Sequence, residues 1–230
     1  MREIVFDTET TGFDPGDGDR IVEIGLVELM DHYPTGRSKQ FYLNPEREVP
    51  LESQRIHGLS TEFLSDKPLF AHVADEFLDF VGDAVLVIHN ASFDMKFINA
   101  ELTRVGKTPL SMARTVDTIE IAKRKLPGAR YSLDELCKRF NIDLSVREKH
   151  GALLDAELTA QVYLELVGGR QRGLALAPVE IVAEMHQEEG PRARQRPHPL
   201  LPRITAEEIA RHAAFIAAEL GAKAIWSLSA

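Results

Sequence analysis

Residues 4–12 read Ile4-Val5-Phe6-Asp7-Thr8-Glu9-Thr10-Thr11-Gly12, and the interpretation of the whole chain starts from this stretch. Its β-branched and aromatic beginning and its closing glycine predict a strand. Because side chains alternate between the two faces of a strand, Asp7 and Glu9 lie on one face with Val5. Two carboxylates that close raise each other's pKa unless a cation lies between them, which indicates a divalent metal such as Mg²⁺ or Mn²⁺. A strand that merely ends in an acidic loop explains this stretch alone equally well.

Length and composition indicate a soluble globular protein. The 230 residues can form one domain with an appendage, and 44% of them are hydrophobic and 27% charged. No apolar run is long enough to span a membrane, and the chain enters a predicted strand directly, so we expect no signal peptide. Cys137 is the only cysteine, so we expect no internal disulfide and a cytoplasmic location. The net charge of −9 disfavours binding nucleic acid mainly through lysine and arginine, although bound metal ions or a partner could still bring the chain to phosphates.

The order of predicted elements indicates an α/β fold. Residues 21–29 and 40–43 predict two further strands, joined by a turn at 32–39, which gives an antiparallel meander. The apolar run 85–88 predicts a buried strand parallel to the first. Helices are predicted beyond Ser92, which can cap the first of them, over 116–125 and 132–140, and over 152–167, with Ser132 as part of a capping box. Strands followed by alternating strands and helices favour a mixed sheet flanked by helices.

Further groups suited to chemistry follow at the ends of these elements. Asp94 comes after the buried strand, where an aspartate favoured by the helix dipole is the simpler explanation. His150, taken alone, would be a surface or capping histidine. Asp155 is less ordinary, because it lies among alanines and leucines on a mainly apolar helix. Buried carboxylates are costly unless they are paired or bind a metal.

Three separated motifs, taken in order, carry a family resemblance. Asp7–Gly12, His89–Asp94 and the segment from His150 through Ala156 together resemble the histidine-containing branch of the DEDD superfamily of 3′→5′ exonucleases. The resemblance covers residues 1 to about 170 and implies a ribonuclease H-like fold. It also implies a metal-dependent enzyme that releases 5′-mononucleotides from the 3′ end of a nucleic acid.

The resemblance also implies roles for individual residues. Asp7, Glu9, Asp94 and Asp155 would hold two divalent ions, Mg²⁺ or Mn²⁺, about 4 Å apart around the scissile phosphate. His150 would act as the general base, since imidazole titrates near neutral pH. The residues that would line the pocket for the terminal nucleotide are Thr8, Thr10, Glu52, His57 and Asn90. For His57, the capping of a loop remains an alternative.

The chain changes character after the last predicted helix. Residues 171–202 contain five prolines and no aromatic residue, which indicates a flexible linker. Order is expected to return at Thr205, which forms a capping-box pattern with Glu208. A helical stripe then includes Ile209, Ile216 and Leu220, with Gly221 placed to end the helix and Trp226 beyond it.

Within the branch, the chain is most similar to the family of epsilon subunits of bacterial DNA polymerase III, which proofread. Residues 171–176 resemble a sliding-clamp-binding peptide through Gln171, Leu174 and Leu176, although Leu176 stands where phenylalanine is commoner. Residues 203–230 resemble the tail that binds the polymerase alpha subunit, through Ile209, Ile216, Leu220 and Trp226. The implied domains are the exonuclease at 1–170, the clamp peptide at 171–176, the linker at 177–202 and the polymerase-binding segment at 203–230. The alternative for the tail helix is packing on its own domain.

The resemblance therefore implies removal of mispaired 3′-terminal nucleotides from DNA. Its implied partners are a single-stranded or frayed DNA 3′ end, the alpha subunit, the beta sliding clamp and a small theta-like subunit, with no membrane. Two alternatives remain open. An RNA-trimming exoribonuclease would share the three motifs but would not need the tail. A non-catalytic adapter between clamp and polymerase would not need all five predicted catalytic and metal-binding side chains.

Overall fold

The structure is a computed structural model, and it describes residues 1–145, 149–168 and 204–220. The chain divides into two units, Met1–Ala175 and Leu176–Ala230. The described strands and helices of the first unit are β1 (Arg2–Thr10), β2 (Ile21–Met30), β3 (Tyr33–Tyr42), α1 (Leu51–His57), α2 (Thr61–Leu64), α3 (Phe70–Val81), β4 (Val85–Ile88), α4 (Ala91–Arg104), β5 (Thr115–Asp117), α5 (Thr118–Lys125), α6 (Leu133–Arg139) and α7 (Ala152–Val167). In the second unit, α8 (Ala206–Phe215) continues as a π-helical turn over Ile216–Leu220. None of the described helices has the length and apolar character needed to cross a lipid bilayer.

The five strands of the described residues form one mixed sheet in the order β3-β2-β1-β4-β5. β1 and β2 pair antiparallel, as do β2 and β3, whereas β4 runs parallel to β1 and β5 parallel to β4. The predicted mixed sheet, with its antiparallel beginning and parallel fourth strand, is confirmed. Because β1 and β4 are parallel, their carboxyl ends meet at one edge, where ligand sites of such sheets form.

Helices pack on both faces of the sheet, and the alternation along β1 decides which residues each layer contacts. Ile4 and Phe6 belong to the core formed with α3 and α4. Val5 points to the opposite face and packs with Ala156 and Tyr163 of α7. The apolar part of β1 is therefore buried on both faces of the sheet. Its polar end, which carries Asp7 and Glu9, lies at the carboxyl edge of the sheet.

The predicted turn at 32–39 is wrong, because the chain reverses within two residues. Asp31 and His32 both have positive φ angles, 50° and 72°, as a tight hairpin requires. β3 then runs from Tyr33 to Tyr42 as an edge strand. Pro34 and Gly36 favoured a loop in the sequence, but an edge strand tolerates proline because one side of it needs no hydrogen-bonded partner.

The predicted helix over 116–125 is also wrong at its start. Thr115–Asp117 forms the short strand β5, and the helix begins at Thr118. Asp117 ends the strand and caps the helix, since its side chain accepts a hydrogen bond of 2.8 Å from the Ile119 amide. Pairing with β4 stabilises the extended conformation of Thr115 and Val116, both of which are β-branched.

Two predicted serine caps differ from the structure. α4 starts at Ala91, one residue before Ser92, and the preceding Asn90 adopts a left-handed conformation with φ 71°. Ser132 does precede α6, but its side chain makes no capping hydrogen bond, so the predicted capping box is not formed.

Gly25 allows α7 to lie directly against β2. A Cβ atom at this position would be 2.2 Å from the Leu153 backbone nitrogen and 2.3 Å from the Ala152 carbonyl carbon. These separations are far shorter than a van der Waals contact, so only glycine fits without moving the helix. The first turn of α7 is thereby set by its contact with the sheet.

The predicted C-terminal helix is present, and its capping box is confirmed. The Thr205 hydroxyl accepts a hydrogen bond from the Glu208 amide, and the Glu208 carboxylate accepts one of 2.8 Å from the Thr205 amide. α8 has no buried residue. The predicted clamp peptide at 171–176, the linker at 177–202, the helix end at Gly221 and Trp226 all lie outside the described residues.

Candidate active site

The three predicted motifs meet at the edge of the sheet where β1 ends. Asp7 and Glu9 lie on β1, and Asp94 and Asp155 lie in the first turns of α4 and α7. The contact between β1 and α4 is direct, because Asp94 Oδ1 accepts hydrogen bonds from the Thr8 amide at 2.9 Å and the Thr8 hydroxyl at 2.8 Å. Asp94 is thus fixed against the residue that separates Asp7 from Glu9.

His150 and Asp155 complete the group from the start of α7. His150 Nδ1 lies 3.2 Å from Asp155 Oδ2. One ligand atom from each of Glu9, His150 and Asp155 lies within 4.8 Å of the others. Asp155 is buried while His150 is exposed, so the imidazole stands at the open side of the site. The geometry therefore places His150, which the sequence predicts as a base, close enough to share a cation with the two carboxylates.

Helix α1 supports both halves of this site. The His150 amide donates a hydrogen bond of 3.2 Å to the Ile56 carbonyl. The Ser53 hydroxyl donates one of 2.9 Å to the Thr11 carbonyl, just past β1. α1 therefore links the end of the strand to the segment that leads into α7.

Burial and like charge disfavour ionisation of the central carboxyls. Burial is the main cause that raises the pKa of Asp7 well above its usual value, and the charges of Asp94, Glu9 and Asp155 raise it further. Burial also raises the pKa of Asp94 to about 7, although the hydrogen bonds from Thr8 lower it. A divalent cation relieves both penalties, and carboxylate oxygens with an imidazole nitrogen are a donor set that suits one. The residues present therefore fit the metal that the fold family implies.

Thr8 and Thr10 lie beside the site, and the hydroxyl group of each donates a hydrogen bond to another group of the protein. The Thr10 hydroxyl donates to the Gly12 carbonyl at 2.6 Å, which holds the turn after β1. The Thr8 hydroxyl, as described above, orients Asp94. Glu52 is exposed on α1, and Asn90 is exposed at the turn before α4. All four thus belong to segments that border the carboxylates, and their contact with a nucleotide stays a prediction.

His57 is buried at the end of α1, and its ring has one unsatisfied nitrogen. Nδ1 accepts a hydrogen bond of 3.0 Å from the Leu59 amide, which assigns the proton of the neutral ring to Nε2. Nε2 has no hydrogen-bond partner among the described residues. Burial lowers the pKa of His57 to about 4, and the Thr10 carbonyl, which favours the protonated ring, does not outweigh it. His57 thus caps the loop at Leu59, as the simpler interpretation proposed.

Sequence reasoning missed two acidic residues that lie next to the site. Asp117 accepts hydrogen bonds from the backbone amides of Asn90 at 3.3 Å and Ala91 at 3.0 Å, and so fixes the turn that starts α4. Glu23 is buried on β2 directly across from Glu9. The sequence places Glu23 and Glu28 within a buried strand, where each needs a partner, but it does not say which groups those partners are.

The tail residues are only partly within the described chain. Ile209 on α8 is 58% exposed, and Ile216 is half-buried. The clamp-peptide residues Gln171, Leu174 and Leu176 lie outside the described residues, as do Trp226 and the side chain of Leu220. Their predicted roles remain predictions.

Comparison with known sequences gives close matches over most of the chain. Residues 4–163 match the model of the Exonuclease (RNase_T) family. The DNA polymerase III subunit epsilon of Rickettsia conorii is 47% identical over 219 residues, which cover 94% of this chain and 95% of that protein. The DNA polymerase III subunit epsilon of Escherichia coli K12 is 42% identical over 226 residues, which cover 93% of this chain and 91% of that protein.

Solved structures share the fold of the first unit. Exonuclease X, solved in complex with 5′ overhanging duplex DNA, gives a TM-score of 0.57 at 26% identity, covering 72% of this chain and 90% of that one. The zinc-bound complex of E. coli ExoI with single-stranded DNA gives 0.63 at 20% identity, covering 74% of this chain and 41% of that one. The ExoI likeness supports the fold alone, because its sequence identity is low.

The raised pKa of Asp94 predicts a pH-dependent stability of the metal-free protein. An aspartate in the unfolded chain loses its proton near pH 4, whereas folded Asp94 holds it up to a pKa of about 7. The folded state therefore binds the extra proton between these values, and rising pH destabilises it through that window. Asp94→Asn cannot ionise but keeps an oxygen for Thr8. We expect the free energy of unfolding of wild type to fall by about 2 kcal/mol or more, relative to that of this variant, when the pH rises from about 5 to about 8. Denaturant unfolding in the presence of a chelator measures this difference.

Adding Mg²⁺ at the higher pH should restore stability to wild type more than to Asp94→Asn. His57 also contributes in this range, because its pKa is about 4 in the folded protein but near 6.5 in the unfolded chain, so the difference between the two proteins is the informative quantity. Parallel stability curves for wild type and variant would show that Asp94 ionises at its ordinary pH.

Proposed function

The chain belongs to the exonuclease family and, within it, to the epsilon subunits of DNA polymerase III, and from this we propose how its residues remove mispaired 3′-terminal nucleotides. The chain is a 3′→5′ proofreading exonuclease that hydrolyses the last phosphodiester bond. The observation that carries the proposal is the convergence of Asp7, Glu9, Asp94, His150 and Asp155 at one sheet edge.

In this proposal, Asp7, Glu9, Asp94 and Asp155 hold two divalent cations, Mg²⁺ or Mn²⁺. When bound, such cations lower the pKa of the attacking water and stabilise the charge that develops on the leaving 3′ oxygen. Thr8 keeps Asp94 oriented through its two hydrogen bonds. The net charge of −9 does not oppose the substrate, since cations at the carboxylates offset the repulsion of phosphate.

His150 accepts the proton of the water as a general base. Its ring is exposed toward the open side of the site, and its Nδ1 is oriented by Asp155 Oδ2 at 3.2 Å, which leaves Nε2 pointing away from that contact. His57 has a different role in this proposal. With a pKa of about 4 it stays neutral during turnover, and its Nε2–H donates to the terminal nucleotide.

The preference for mispaired 3′ ends arises from the ease with which such ends unpair, more than from recognition of the bases. The carboxylates must surround the last phosphodiester bond, so the 3′ end has to be single-stranded. A mispaired end unpairs at lower cost than a paired one and enters the site more often. Thr10, Glu52 and Asn90, which border the carboxylates, would then contact the terminal nucleotide regardless of its base.

The segments outside the exonuclease domain provide the partners in this proposal. Gln171, Leu174 and Leu176 dock on the beta sliding clamp, and residues 203–230 bind the alpha subunit through Ile209, Ile216, Leu220 and Trp226. The exposed apolar residues of α8 support this, because an amphipathic helix with no buried residue has an apolar face left to bury. A theta-like subunit would be a further partner of the domain at 1–170. The site of action is then the cytoplasmic replisome on the nucleoid.

A primer-degradation assay tests the function. Labelled primers with a matched or a mismatched 3′ end are compared, in Mg²⁺ and in Mn²⁺, with a single-stranded RNA of equal length. We expect mononucleotides to be released about tenfold or more faster from the mismatched DNA, since fraying costs a few kcal/mol less there. Preferential cleavage of the RNA would favour an RNA-trimming enzyme, and Asp7→Ala retaining full activity would favour a non-catalytic adapter.

His150→Ala should remove most turnover while leaving metal binding nearly intact. General-base catalysis contributes about 10²- to 10⁴-fold, so kcat should fall within that range. Isothermal titration with Mn²⁺ should meanwhile give an affinity near that of wild type, because the four carboxylates remain. His72→Ala, at an exposed histidine on α3, is the matched control. Unchanged kcat would exclude the role of base, and lost Mn²⁺ binding would make His150 a ligand instead.

Substitutions in the tail should separate docking from catalysis. The double variant Gln171→Ala and Leu174→Ala should weaken binding to the sliding clamp by about tenfold or more, because burial of an anchor side chain is typically worth more than 1 kcal/mol. Trp226→Ala should weaken binding to the alpha subunit in the same way. Both proteins should hydrolyse a short single strand at the wild-type rate. Unchanged affinity for both partners, measured by surface plasmon resonance, would disprove the assigned segments.

A further inference from the structure

The first turn of α7 is capped by a residue from another strand. Gly151 occupies the N-cap position and provides no side chain to accept the first amides of the helix. Glu23 of β2 supplies an acceptor instead: its side chain is on the face of the strand against which Ala152 and Leu153 pack at Gly25, and the backbone amides of these two residues lower the pKa of its carboxyl, which burial raises. A carboxylate at this position also interacts favourably with the positive end of the helix dipole.

The Glu23 carboxylate is itself fixed from the opposite side. Gln40 of β3 donates a hydrogen bond of 2.7 Å from Nε2 to Glu23 Oε1, and donates a second, of 2.9 Å, to the Tyr42 hydroxyl. Glu23 is 2% exposed, so its orientation depends on these donors and not on water. The donors to Glu23 are neutral amides. Glu28, the other buried acid of β2, pairs instead with the charged guanidinium groups of Arg2 and Arg37.

The amides that Glu23 holds lie between two residues of the site. His150 is two positions before Ala152, and Asp155 is two positions after Leu153. Gly25, on the same face of β2 as Glu23, allows the helix to approach until backbone meets backbone. A shift of the first turn of α7 therefore moves His150 and Asp155 together relative to Asp7 and Glu9.

We infer that Glu23 is a positioning residue, which holds the N-terminus of α7 so that Asp155 and His150 meet the carboxylates of β1. It acts through the Ala152 and Leu153 amides and not on the substrate. This inference rests on the proposed function for its kinetic consequence, but the contact itself can be tested without activity. Residues that orient metal ligands in this way typically contribute about 10- to 100-fold to metal affinity or activity.

Glu23→Gln is the test, because glutamine has nearly the same shape but replaces one acceptor oxygen by a donor facing amide donors. In the metal-free protein, we expect the Ala152 and Leu153 amide resonances to move in ¹H–¹⁵N spectra, while those of Ile4 and Phe6 stay. Mn²⁺ affinity by calorimetry and kcat on a single-stranded oligonucleotide should each fall by about 10- to 100-fold, with KM within about twofold.

Glu28→Gln is the matched control, since it removes a buried charge from the same strand away from α7. It should lower the denaturation midpoint without changing the Ala152 and Leu153 resonances or Mn²⁺ affinity. A folded Glu23→Gln protein with wild-type resonances, Mn²⁺ affinity and kcat would overturn the inference. So would a variant that loses stability alone, because that result would make Glu23 a structural cap without influence on the site.

Gln40→Ala keeps the inference testable if Glu23→Gln does not fold. Gln40 is exposed, so its truncation leaves the core intact and removes one donor from Glu23. A loss of about threefold or more in Mn²⁺ affinity is expected, and unchanged affinity would contradict the inference. If wild type itself degrades no DNA, the proposed function fails, while the amide resonances and Mn²⁺ affinity still decide the role of Glu23.

Discussion

Repulsion between carboxylates at the end of β1 is the constraint on which the arrangement of this molecule depends. Asp7, Glu9, Asp94 and Asp155 come together where burial raises the pKa of the central groups. A folded protein keeps such an arrangement only when the surrounding structure holds each group in place. The groups that contact Asp94 directly, the Thr8 amide and hydroxyl, are neutral, and packing of α7 on the sheet places Asp155. Neutral donors orient the carboxylates without neutralising them, which leaves their charge for cations.

The same choice of donors explains how an acidic chain can act on a polyanion. Arginine or lysine within the cluster would have paired with the carboxylates and competed with metal ions. The positive charge of such a residue would have stabilised the carboxylate cluster without metal, whereas amides and hydroxyls leave the stability of the cluster dependent on bound metal. Affinity for phosphate then comes with the cations, and the remaining surface can stay negative. The two histidines differ accordingly: His57 is buried with a lowered pKa, and His150 stands exposed beside Asp155.

The sequence allowed the centre of the fold and the core of the site to be predicted, because both depend on local patterns. Alternation along residues 4–9 placed Asp7 and Glu9 on one face, and the apolar run at 85–88 placed a parallel strand beside it. The hairpin at Asp31 and His32 was missed because no glycine or asparagine marks its two left-handed residues. β5 and the role of Glu23 were missed for another reason. Pairing with β4 and capping of α7 are long-range contacts, which no local window contains.

The connection between distant parts of the chain at this site has a consequence for biosynthesis. Asp94 reaches Thr8 across 86 positions, and α7 reaches β2 only after most of the exonuclease domain has been synthesised. Contacts of such long range form late in folding, because chain entropy must be overcome first. A nascent chain that ends before α7 already carries Asp7, Glu9 and Asp94 but has neither His150 nor Asp155. With the roles proposed for His150 and Asp155, cleavage of DNA would therefore begin only after α7 has been synthesised and has packed on the sheet.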